Sequence, residues 1–260
     1  MAQHIFDKHL KAFHIFNDLG EKQTLDMLLE GENKKVWSQA LSNELGRLAQ
    51  GNDAGVRSTD AIDFIFHYEV PHGSKVTYAN FRMDHRPLKE EEWRIRLVVG
   101  GDKLDYDNDS GSPAASLLET KLLLNSVISD IAKNARFFTC DLKDHFLASP
   151  MDKPEYMRIP TKCIPQDIMD RYNLQEKVHK GYVYVKIKRG MYGLKQAAIL
   201  AYNHLKNILK EYGYCPVTNT IGIWKHDTRP TTFCLCVDDF GVKYHSQEDA
   251  EHLLSALRDH

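Results

Sequence analysis

The chain has 260 residues, 42% of them hydrophobic, enough to build a real core in one large domain or two small ones. Its 34 Lys and Arg against 36 Asp and Glu give a net charge of -2, unlike the basic excess of a protein that coats nucleic acid. No run reaches the ~18 to 20 apolar residues of a membrane helix, and the opening MAQHIFDKHLKAFHIF lacks the apolar core of a secretory signal, so an intracellular chain is expected. Five cysteines without a C-x-x-C pair argue against a disulfide framework and against a zinc site.

In chain order, the first fifty residues read as helical. In KKVWSQALSNELGRLAQG, Val36, Trp37, Ala40, Leu41, Leu45 and Leu48 recur at steps of three and four, with Gly51 placed to end the run. IDFIFHYEV (62–70), the breaker PHGS and KVTYANFRM (75–83) then predict a hairpin, and EWRIRLVV (92–99) a third strand, so 52–100 is expected to form a small sheet of its own. The polar, glycine-rich stretch 100–113 reads as a linker. Helical spacing returns over 117–133 through Leu118, Leu122, Val127 and Ile131, followed by the short strand RFFTCDL (136–142).

Residues 151–176 are punctuated by prolines and predict loops, whereas GYVYVKIKRG (181–190) alternates like a hairpin arm. The segment 197–213 is a predicted helix with Leu200, Leu205, Ile208, Leu209 and Tyr212 inward and Gly213 closing it. Two strands, TTFCLCV and FGVKY, flank an aspartate pair, and an amphipathic helix starts near Gln247. This order predicts an α+β fold with an antiparallel sheet.

Charge is sorted along the chain. From Lys177 to Lys210 there are eight basic residues and no Asp or Glu, interleaved with Tyr182, Tyr184, Tyr192 and Tyr202. Such a stretch suits either a solvated lysine face or a polyanion, and the aromatics favour nucleic acid.

Asp238 and Asp239 sit at the predicted hairpin tip in FCLCVDDFG. Adjacent carboxylates repel, and burial raises their pKa values; a divalent cation reverses both penalties. Asp141 ends another apolar strand in FFTCDLKDHFL. If that strand lies beside the hairpin, three carboxylates converge and can hold two Mg²⁺ about 3.5 to 4 Å apart, the arrangement that activates a hydroxyl and neutralises a leaving pyrophosphate.

Four stretches then carry a resemblance: DLKDHFL (141–147), PEYMRIP (154–160), MYGLKQAAILAY (191–202) and CVDD (236–239). In this order and with these gaps they resemble the reverse transcriptase of copia-type LTR retrotransposons, as do RIRLVVGGD (94–102) and WSQALSNELGRL (37–48). The resemblance implies a right-hand polymerase fingers-palm fold. It places N-terminal helices and fingers at 1–112 and an antiparallel palm at 113–260, together one reverse-transcriptase domain, with the thumb absent.

It also implies RNA-directed DNA synthesis, with an RNA template, a DNA primer and deoxynucleoside triphosphates (dNTPs) as partners. Asp141, Asp238 and Asp239 become the catalytic, metal-binding triad for two Mg²⁺, with Mn²⁺ as a substitute. Arg94 or Arg96, Asp144, Phe146, Tyr192, Gly193 and Lys195 become dNTP contacts, Phe146 as the gate against a ribose 2′-OH. Lys186, Lys188 and Arg189 become nucleic-acid contacts, and the expected location is a cytoplasmic virus-like particle or the nucleus. Three departures stand out: Cys236 where the family has tyrosine, AAILAY for APRAWY, and His145 for alanine. They leave open an alternative, a decayed retroelement remnant that only binds nucleic acid.

Overall fold

The computed structural model describes residues 15–17 and 19–260, so the part of the helical expectation that falls on 1–14 lies outside the described residues. The chain divides into two compact units, each discontinuous in sequence: 1–106 with 151–194, and 107–150 with 195–260. The first break falls inside the expected linker. The other two were not expected: 151–194 packs with the N-terminal residues, whereas the sequence drew one boundary between 112 and 113.

In unit 1, helices α1 (Leu25–Glu30) and α2 (Lys34–Leu48) precede strands β1 (Ile62–Ile65), β2 (Val76–His85) and β3 (Trp93–Val99). The later segment adds β5 (Pro150–Pro160), α5 (Gln166–Arg171) and β6 (Tyr182–Arg189), giving a sheet of order β1-β6-β5-β2-β3. Helix α2 buries Trp37, Ala40, Leu41, Leu45 and Leu48 as its spacing predicts, while Val36 is exposed. Trp37 meets Trp93 edge-on at 5.1 Å between ring centroids.

Two expectations fail here. β1 and β2 do not form a hairpin: β1 pairs antiparallel with β6, through Phe64↔Val185, and β2 pairs with β3. The proline-punctuated stretch holds a strand, β5, parallel to β2 over Val76–Tyr78. Tyr156, Met157 and Ile159 are buried, so side-chain burial outweighs the missing N–H groups of the prolines that bound the strand.

In unit 2, α3 (Leu117–Ser129), β4 (Arg136–Asp141) and the one-turn helix α4 (His145–Ala148) precede α6 (Ala197–Glu211), β7 (Tyr214–Pro216), β8 (Ile223–His226), β9 (Thr232–Cys236), β10 (Asp239–Tyr244) and α7 (Gln247–Arg258). The sheet order is β4-β10-β9-β8-β7, with every pairing antiparallel. Leu205 and Leu209 of α6 and Leu253 and Ala256 of α7 pack on Trp224, Phe233, Leu235, Phe240 and Val242. Each large apolar side chain buried there contributes about 1.5–3 kcal/mol.

Helix α3 covers the other face. Ser116 caps it, accepting from Leu118 N at 3.1 Å, in a capping box with Glu119. Leu123 is its buried residue, packed with Cys234 and Ala115, and Lys243 of β10 reaches Asp130 at 2.6 Å. The helix forms where the spacing predicts it, but Leu118, Leu122 and Ile131, which carry that spacing, are exposed, because the sheet meets the helix along the Leu123 side.

At the end of the chain, His260 Nε2 stands 2.9 Å from Nδ1 of His145, which is 96% buried by its 4% exposure. Burial first, then His204, pushes His145 down to about 4; burial, then His145 and His204, pushes His260 down to about 4. The unfolded imidazoles take up protons near the ordinary 6.5, so between the two values the unfolded state binds more protons and stability falls with acid. Lowering the pH from about 7 to about 5 is expected to lower the melting temperature, with a shallower fall in His260→Ala. An equal slope in the two proteins, by circular dichroism melts, would contradict the pairing.

Candidate active site

The three predicted carboxylates come together through strand register. β10 pairs with β4 so that Asp239 lies opposite Asp141 and Phe240 opposite Cys140. On its other edge β10 pairs with β9, Asp239 opposite Cys236, which leaves Val237 and Asp238 as a two-residue loop. Leu142 N donates to the Asp238 carbonyl at 2.9 Å, tying that loop to the residue after Asp141.

Directly opposed residues in an antiparallel pair have Cβ atoms about 4.5–5.5 Å apart, and like charges there destabilise. The Asp239 carboxyl shows it: burial first, then Asp238 and Asp141, raise its pKa above the ordinary carboxylate value. Asp141 and Asp239 are exposed and Asp238 half-buried, so all three are open to solvent.

Among the described residues, no group of three or more His, Cys, Asp or Glu side chains is drawn together as a metal-binding cluster. The backbone brings the aspartates side by side while their side chains are not closed on a common point. The donor set nonetheless fits a hard divalent cation, since it is oxygen-only and its uncompensated charge already disfavours ionisation of Asp239.

The loop is strained. Val237 has φ +62, a left-handed conformation rare for a β-branched residue, and it is exposed. A positive φ at the first loop position alone is the pattern of a type II′ hairpin turn, which favours glycine there. Cys236 is exposed beside the loop, whereas burial, then Asp141, pushes the neighbouring Cys140 thiol up to about 11 and keeps it protonated.

The other predicted contacts fall into their own units. In unit 2, Asp144 has φ +58 and precedes α4, Phe146 lies half-buried within α4, and Lys195 is exposed one residue before the Gln196 cap of α6. In unit 1, Arg94 is taken up by Glu91 at 3.0 Å, in a network that adds Arg47 and Arg86. Its pKa is lowered by burial and by Arg47. Arg96 instead lies over the Tyr192 ring, 5.8 Å from its centroid.

Tyr192 O accepts from Val99 N at 2.8 Å, and Gly193 has φ +96 where an added Cβ would stand 2.0 Å from Val99 O. Only glycine fits that approach, so Gly193 has a structural reason in unit 1 whatever else it does. Lys188 is held by Asp60 at 2.8 Å and Asp63 at 2.9 Å, Lys186 pairs in register with Asp63, and Arg189 ends β6. The sequence did not suggest that Lys188 is paired, because Asp60 and Asp63 lie far along the chain; Glu91, by contrast, stands only three residues before Arg94.

No protein-family model matches the chain. Over 104 residues it is 34% identical to a transposon Ty5-1 protein of Saccharomyces cerevisiae, a stretch that is 39% of this chain and 30% of that protein. The chain thus spans less than a third of the relative's length, and the likeness supports a retrotransposon-related origin. A solved structure of apo telomerase from Candida tropicalis, truncated from its C-terminal domain, overlaps 85% of this chain and 51% of its own, at 13% identity and a TM-score of 0.41. Among the described residues, no helix is long and apolar enough to cross a membrane.

Val237→Gly is expected to stabilise unit 2 by about 1 kcal/mol, the left-handed strain relieved less the glycine's extra chain entropy. A lower denaturation midpoint for the variant in urea would show that Val237 packs rather than strains.

Proposed function

We propose that the chain is the reverse-transcriptase domain of a copia-type retrotransposon, joining a dNTP to a primer 3′-OH on an RNA template. The observation that carries this reading is the register of β4, β10 and β9, which sets Asp141 opposite Asp239 with Asp238 in the adjoining loop. The ordered motifs DLKDHFL, MYGLKQA and CVDD and the retrotransposon relative support it.

Asp141, Asp238 and Asp239 would hold Mg²⁺ or Mn²⁺, which supplies hydroxyl activation and charge neutralisation of the leaving pyrophosphate. The chain's own groups do the rest. Asp239, whose ionisation is disfavoured by burial and then by Asp238 and Asp141, is the carboxylate that an arriving cation would favour most. Asp144 turns the chain in a left-handed conformation two residues before Phe146, so the backbone that follows Asp141 is turned into the short helix bearing the ring assigned as sugar gate. On this reading the fold is a fingers-palm fold and unit 2 carries the palm chemistry.

The test is primer extension by the purified chain on an RNA template with dNTPs and Mg²⁺. Extension is expected, with a loss of about 100-fold or more in Asp141→Asn and in Asp238→Asn, the scale of removing one preorganised electrostatic contact. Extension that survives both substitutions would overturn the assignment. Folded wild-type protein that binds primer-template and adds no nucleotide would favour the binding-only remnant.

A further inference from the structure

We propose that the outer face of the unit 1 sheet is a stacking platform for single-stranded nucleic acid. Strand β6 alternates: Val183, Val185 and Ile187 are fully buried, and Tyr182, Tyr184 and Lys186 stand half-exposed on the opposite face. Arg158 of β5 lies over the Tyr182 ring at 4.5 Å, and β5 pairs with β2 so that Arg158 lies opposite Tyr78, which is 42% exposed. Three neighbouring strands therefore carry tyrosine, arginine and tyrosine in a row.

The row continues beyond the end of β1. His67 stacks on His179 at 3.8 Å and 5°, and meets Tyr184 edge-on at 5.3 Å. Phe66 stacks on Tyr68, which is 74% exposed, and Lys177 Nζ lies 5.7 Å from the Phe66 centroid. A hydrophobic core does not explain this arrangement, since the apolar residues of the same strands already fill the other face.

The occupant follows from the chemistry. Rings offer faces to bases, and Arg158, Lys177, Lys180 and Lys186 offer charge to phosphates. Acidic neighbours limit that charge at two places, Asp102 on the Tyr78 hydroxyl at 2.8 Å and Asp63 beside Lys186. Bases in a duplex have their faces covered by their neighbours, so only an unstacked strand can use such a surface. The contacts are to ring faces, which makes the binding tolerant of sequence.

The proposal extends the polymerase reading by naming where unpaired template or product would rest, and its test is independent of catalysis. A labelled single strand of about 16 nucleotides is titrated with the full chain in EDTA without dNTPs, and anisotropy is read. Binding tighter than to the same sequence as a duplex is expected. Tyr182→Ala, Tyr184→Ala and His67→Ala should each weaken it by about five-fold or more, while Tyr182→Phe, which keeps the ring, should retain it. Arg158→Gln should flatten the dependence of affinity on salt. Alanine variants that bind as tightly as wild type, or equal affinity for duplex, would overturn the platform. Because no nucleotide is added, a chain that fails to extend a primer still reports on this face.

Discussion

The candidate active site depends on one register, Asp141 opposite Asp239, and nothing at the carboxylates themselves favours it. Like charges directly opposed are repulsive, so the register must be held elsewhere along the same strands. Phe240 and Val242 hold it. Both point into the core with Phe233 and Leu235, and a slip of one residue would carry them to the opposite face. Gly241 lies between them, where an added Cβ would meet Cys234 Sγ at 2.8 Å, so a larger residue brought to that position by a slip would clash. Apolar packing thus sets the position of charges that would otherwise separate.

The same logic extends to the loop. A two-residue connection is the shortest that can join β9 to β10 in this register, and it places Asp238 beside Asp141 through the Leu142–Asp238 hydrogen bond. Val237 carries the cost of that geometry in a left-handed conformation, and such strain persists only where the surrounding structure over-determines it. On the opposite side of the sheet Lys243, 9% exposed and bound to Asp130 and the Ser126 carbonyl, fixes α3 to β10. The strand that bears Asp239 is therefore pinned on both faces and at its turn.

Much of unit 2 was legible because its signals are local. Gly213 with φ +80 ends α6, Ser246 caps α7 by accepting from Asp249 N, and the alternation in FCLC reads directly as Phe233 and Leu235 against Cys234. Unit 1 was less legible because its pairings are not local. The PHGS breaker looks like a hairpin turn, yet β1 finds its partner in β6, where Val183, Val185 and Ile187 complete a buried face that β2 does not offer. Periodicity identified α3 without saying which of its faces meets the sheet, and Leu118 and Leu122, which carry the spacing, are exposed. Lys188 read as an available cation because a one-dimensional pattern cannot show Asp60 and Asp63 closing on it, whereas the Glu91 that takes up Arg94 lies three residues before it, within reach of a sequence pattern.

Charge in this chain is set by pairing as much as by count. The eight basic residues of 177–210 suggested a positive face by count alone, but Lys188 is neutralised within its own sheet and Lys177 also donates to the Phe64 carbonyl at 2.7 Å. What remains distinctive is the placement of cations over rings, Arg158 on Tyr182 and Arg96 on Tyr192. A cation on a ring keeps its charge while fixing the ring's orientation, which suits a ligand that brings phosphate and base together. In the carboxylate site the inverse holds: burial, then the charges of Asp238 and Asp141, raise the Asp239 carboxyl above its ordinary value. The chain's near-neutral total thus conceals opposed carboxylates in unit 2 and, in unit 1, cations set over rings.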